Sequence, residues 1–147
     1  MSAASSPCRT APPALSLLPM NHLLLIALGG ALGAVSRHLV NQAGLRVLGP
    51  ELPYGTFIVN VGGSLLIGVL VGWLAFAGRP DATELRFALG VGFLGAFTTM
   101  SAYALDVVIF IERKAYLTAF SYAAGTVVLS VLAVFVGMLI ARRVLGS

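Results

Sequence analysis

Charged residues occur in this chain as small clusters separating long uncharged runs, and that spacing limits the possible folds more than any motif does. Nothing between Leu23 and Ser36 is charged; Arg37 and His38 follow, and apolar character continues to about Leu48. Leu52–Gly78 carries no charge, Phe87–Leu105 carries none before Asp106, and Ala115–Ala141 carries none before Arg142 and Arg143. A helix needs about 20 apolar residues to cross the hydrocarbon of a bilayer. The last three runs reach or nearly reach that length. The first does so if Arg37 snorkels or lines a wet vestibule. The spacing predicts an all-α integral membrane protein with helices at about residues 21–45, 53–77, 86–111 and 115–142 (residues 20–147 as one membrane domain), joined by three short connections.

Composition excludes the competing classes. The chain is 59% hydrophobic and 10% charged, whereas a soluble domain is about a quarter charged; so few charges cannot cover a soluble surface. Glycine follows no three-residue period, which excludes a collagen-like chain. Residues 1–19 hold Pro7, Pro12, Pro13 and Pro19, too many for a long helix. They are expected to be a disordered tail or an extension from an upstream start, Met20 being the alternative. The single cysteine, Cys8, cannot form an intrachain disulfide, and no Cys/His group has metal-ligand spacing. The net charge of +4 is scattered. No nucleic-acid partner is expected; the cations belong at lipid headgroups.

Charge also bears on orientation. With four spans, and counting from Met20 onward, Arg79, Arg86, Arg142 and Arg143 share one side of the membrane, and Arg37, Arg46, Arg113 and Lys114 share the other. Four against four gives no positive-inside bias, which Arg9 would tip only slightly. The expectation is insertion in both directions and an antiparallel homodimer, because four short helices alone enclose little space for a pathway.

Small and polar residues recur inside the spans. Gly29 and Gly33 in the first, and Ser64, Gly68 and Gly72 in the second, are spaced for close helix approach. Asn60 extends the second stripe through Thr56, and its carboxamide must meet a partner helix or water. It is therefore either an interhelical hydrogen bond or a donor lining a hydrophilic path. Tyr122, Thr126 and Ser130 lie four apart on the fourth span, a lane of neutral donors suited to a small, strongly accepting anion. The third span contains GFLGAFTTMSAY, Gly92 to Tyr103. Either the helix breaks there near 95–99, with freed carbonyls facing protein or a cavity, or it stays continuous with Ser/Thr back-bonding.

From Met20 onward the chain resembles the Fluc (CrcB-type) fluoride channels, on three motifs in order: GGALGAVSRH (Gly29–His38), YGTFIVNVGG (Tyr54–Gly63) and GFLGAFTTMSAYALD (Gly92–Asp106). The resemblance implies a dual-topology antiparallel homodimer with two pores, passively exporting fluoride across the cell (plasma or inner) membrane. It implies that the backbone carbonyls of Gly95 and Thr98, from each subunit, hold a structural Na⁺ that is not transported. It places Thr99 and Ser101 at the hydroxyl-bearing break, Asn60 and the Tyr122–Thr126–Ser130 track in the pore, and Arg37 near the vestibule. The family's TTFSTF reads TTMSAY here. Met100 and Tyr103 stand at pore positions where phenylalanines are usual, Ala102 replaces a threonine, and Asp106 stands where Glu is common. Tyr103 keeps an aromatic edge; Met100 has no ring.

Two rivals remain. A small multidrug-type exporter is also four-helical and dimeric, but needs a membrane-embedded carboxylate. No Asp or Glu is expected inside any span, Asp106 at best ending the third uncharged run. A non-transporting membrane subunit would need the glycines but not a buried Asn with a hydroxyl lane. No enzyme is expected, since no Ser/His or Asp/Asp constellation sits at mid-membrane.

Overall fold

The computed structural model describes residues 20–77 and 82–145, so the expectations for residues 1–19 and for Arg79 lie outside the described residues. Every element in it is helical, and four helices are long and apolar enough to cross a membrane. The first span is α1 (Met20–Leu48) and the second α2 (Tyr54–Ala77). The third, Ala82–Glu112, is composite. A short α3 (Ala82–Leu85) runs into a π-helical stretch, Arg86–Leu94, then α4 (Gly95–Phe97) and α5 (Met100–Glu112). The fourth is α6 (Tyr116–Leu145).

The connections follow from local chemistry. α1 ends at Gly49, whose φ of +85° is the left-handed conformation that glycine adopts freely. Pro50 and Pro53 then keep the chain from re-entering a helix until Tyr54, after which the Phe57 N–H bonds the Pro53 carbonyl at 3.1 Å. Between α5 and α6 the turn is a paired cap: the Lys114 N–H reaches the Ile111 carbonyl and the Ala115 N–H the Phe110 carbonyl, both at 2.9 Å. Lys114 occupies the left-handed position, at φ 58°.

Glycines set the helix–helix distances. α2 packs most extensively on α6; a Cβ on Gly68 would collide with the Val134 carbonyl, and one on Gly137 with that of Leu65. α1 packs on the π-helical stretch in the same way, Gly29 against the Ala88 carbonyl and Gly33 against that of Phe93. Few large side chains are shut inside. Val59, Leu94, Tyr103 and Phe110 are, whereas Leu28, Leu32, Leu117, Phe120 and Phe135 are more than half exposed. That distribution suits a chain whose outer solvent is lipid.

Candidate functional site

Two threonines in the third span have non-helical backbone. Thr98 (φ −78°, ψ 157°) and Thr99 (φ −151°, ψ 114°) are extended, so the helical hydrogen-bond ladder cannot run through them. Asn60 replaces the missing rungs. Its Oδ1 accepts from the Thr99 N–H at 2.8 Å, and its Nδ2 donates to the Thr99 carbonyl at 3.1 Å. One carboxamide thereby satisfies both backbone groups of a residue that is 6% exposed. Thr99 in turn caps α5: its Oγ1 accepts from the Ala102 N–H at 3.3 Å and lies 3.3 Å from the Ser101 Oγ. The Thr98 hydroxyl bonds back to the Leu94 carbonyl at 3.0 Å.

Because the Thr99 N–H is turned to Asn60, the Gly95 carbonyl does not receive its i+4 donor. Gly95 itself is exposed on the open face of the span. The adjoining Thr98 carbonyl sits in extended backbone. Neutral carbonyl oxygens of this kind are hard ligands of the type that small hard cations prefer. Among the described residues no group of three or more His, Cys, Asp or Glu is placed to bind a metal.

Around this point α2, the third span and α6 enclose an open cavity of about 400 Å³. Asn60, Gly95, Thr98, Thr99, Met100, Tyr103, Thr126 and Ser130 all line it, as does Ser64 from the second-span stripe. No carboxylate, and no charged group of any kind, is in the lining. Three expected residues lie elsewhere. Ser101 is exposed and touches Thr99 only through its hydroxyl. Arg37 lies part-buried on α1 and is not part of the cavity wall. Tyr122 stands one layer further along, its hydroxyl donating to the Asp106 carboxylate at 3.3 Å.

That layer corrects the expectation that no Asp or Glu lies inside a span: Asp106 is on α5, within the helix that ends at Glu112. The buried Thr56 sits in the same layer. Asp106 and Thr56 also line a second cavity of about 330 Å³, together with Asn41, Glu51 and Arg113. Between the two cavities stand aromatic rings. Tyr103 lies 5.8 Å from Tyr122, and Phe110 meets Tyr122 edge-on at 5.8 Å. The Tyr103 hydroxyl is committed to the Ala123 carbonyl at 3.0 Å, and the Thr126 hydroxyl to the Tyr122 carbonyl at 2.7 Å. Thr56 is already on the second-span stripe, one turn before Asn60; the place of Asp106 is likewise marked by spacing, since it falls between Tyr103 and Phe110 at helical intervals.

Residues 24–138 match the family described as "CrcB-like protein, Camphor Resistance (CrcB)". The chain is 52% identical over 125 residues to a "Fluoride-specific ion channel FluC" of a Caulobacter species, covering 85% of this chain and 98% of that one. It is 53% identical over 125 residues to the protein of the same name in Phenylobacterium zucineum, with the same coverage. A third protein of that name, from a Chelativorans species, is 47% identical over 126 residues, 86% of this chain and the whole of the relative.

Proposed function

The chain belongs to the CrcB-like family, and from that premise we propose that it is a fluoride-specific ion channel, a multi-pass membrane protein that passively exports fluoride and lowers its concentration in the cytoplasm. The observation that carries this reading is the cavity at Thr98–Thr99, largely apolar, dotted with amide and hydroxyl groups and lined by no charged residue. Fluoride is small and strongly hydrated, so a path must offer close hydrogen-bond donors in place of water without holding the ion fast. The Asn60 carboxamide has a second N–H beyond the one given to Thr99. Ser64 and Ser130 add hydroxyls from facing helices. No proton or nucleotide chemistry is needed, since the gradient drives the flux.

The working unit in this reading is an antiparallel homodimer in the cell membrane. In support, the cavity is open, and its rim exposes Gly95 and Met100 (71% exposed) at mid-span. The balanced Arg/Lys count supports oppositely inserted copies. A Na⁺ held by the Gly95 and Thr98 carbonyls of both subunits would supply fixed positive charge at the dimer centre. Within each chain, Asn60 keeps Thr99 extended and so holds the Thr98 carbonyl off the helix axis. A multidrug-type exporter needs a carboxylate on its transport path; Asp106 lies outside the main cavity, and family membership and the uncharged lining favour fluoride.

The test is fluoride efflux from liposomes containing the purified protein in Na⁺ medium, with chloride as the control anion. Fluoride efflux well above empty vesicles, with chloride retained, is the expected result. Efflux no faster than from empty vesicles overturns the assignment.

A further inference from the structure

Behind one wall of the conduction cavity, the C-terminal half of α2 and the start of the third span leave a groove of about 640 Å³. Its length is apolar, formed by side chains such as Ile67, Leu70, Leu74 and Val91. Its polar groups are Thr83 and Arg86, both exposed and both within the first five residues of the third span. That position sets them at headgroup depth and the rest of the groove below it. From Ile67 to Leu74 the helix rises about 10 Å, most of the roughly 15 Å hydrocarbon depth of one leaflet.

Gly90 in the groove wall adds a second observation. At Gly29, Gly33 and Gly92 a Cβ would press into the backbone of a facing helix, which accounts for glycine there. At Gly90 a Cβ would meet only the Leu70 Cδ2 at 3.6 Å, the Ile67 Cδ1 at 3.8 Å and the Arg86 Cγ at 4.0 Å. Helix packing therefore does not require this glycine. Its effect is to leave the groove deeper than an alanine would.

We propose that the groove between α2 and the third span binds one anionic phospholipid, the phosphate on Arg86 and Thr83 and one acyl chain along Ile67–Leu74. Charge complementarity selects the occupant: Arg86 and Thr83 face the groove at its surface end while the intervening Glu84 lies outside the lining, and with apolar walls below they match an anionic head on a hydrocarbon tail. Ile67 and Gly90 also line the conduction cavity, so the tail lies against a shared wall.

The test is native mass spectrometry of the purified full-length protein in detergent, titrated with phosphatidylglycerol or phosphatidylcholine. Phosphatidylglycerol should be retained at about five-fold lower concentration, the preference one surface arginine gives. Arg86→Gln, an exposed substitution, should equalise the two lipids. Val71→Trp or Leu74→Trp, filling the groove, should weaken both while leaving the subunit count unchanged. Equal retention by the unmodified chain, or a preference that survives Arg86→Gln, would overturn the proposal. So would a change in subunit count with both tryptophan variants, since a second copy would then be the occupant. The readout involves no ion flux, so its failure leaves the conduction reading untouched.

Discussion

Replacing Asn60 by alanine should destabilise the protein and disturb the pathway together, because one side chain serves both. The substitution removes two hydrogen bonds, at 2.8 and 3.1 Å, and strands the N–H and carbonyl of the buried Thr99. Interhelical hydrogen bonds in membranes contribute about 0.6 kcal/mol each on average and up to about 1.7. Two of them give about 1–3 kcal/mol. Local opening at Thr99 should therefore become roughly 5- to 150-fold more frequent. Amide hydrogen exchange at Thr99, measured in micelles or nanodiscs, reads this directly, and thermal unfolding reads the global share. Asn60→Asp should recover little, because its second oxygen would face the Thr99 carbonyl without a donor. Fluoride efflux should fall in both variants. If Asn60→Ala abolished efflux while Thr99 exchange and the unfolding temperature stayed unchanged, Asn60 would be acting on the ion alone, and the argument that it replaces the helical ladder would be wrong.

Tyr103→Phe removes the 3.0 Å bond to the Ala123 carbonyl and should cost about 0.5–1.5 kcal/mol in unfolding free energy. Fluoride efflux should stay within a few-fold, because the hydroxyl proton is already committed; a loss of tenfold or more would make it a donor in the path. Gly33→Ala, forcing a Cβ into the Phe93 carbonyl, should destabilise by about 1–3 kcal/mol in thermal unfolding. Gly62→Ala, with nothing within 4 Å of the new Cβ, should instead stabilise by about 0.5–1 kcal/mol. Met100→Phe should alter the fluoride efflux rate in liposomes by placing a ring at the cavity rim; an unchanged rate would mean that no ring is needed there.

The spans were legible because bilayer thickness imposes its own length on the sequence, and four uncharged runs of that length leave little choice. The small-residue stripes were legible for a similar reason: i, i+4 spacing puts Gly68 and Gly72 on one face whatever they meet. Which partner they meet was not. Nothing local says that Gly33 abuts the Phe93 carbonyl, since that depends on how the third span is wound. Asn60 shows the limit most sharply. Its two readings, helix partner and pathway donor, were alternatives on the sequence, yet the carboxamide lines the cavity while bonding Thr99. Asp106 reads on the sequence as the residue that closes an uncharged run, whereas α5 continues past it to Glu112 and the Tyr122 hydroxyl donates to its carboxylate.

The π-helical stretch Arg86–Leu94 has a consequence for how tolerant this chain is to changes in length. Wide turns of that kind absorb extra residues that a tighter coil would express as rotation. Deleting a single residue there lets the winding tighten toward an α-helix, which offsets most of the roughly 100° swing that the same deletion would cause in an α-helix. Thr99 would then still face Asn60, whereas a deletion in α2 beyond its start would turn Asn60 away with every side chain of the cavity still encoded. The stretch acts as a phase adjuster for the residues beyond it.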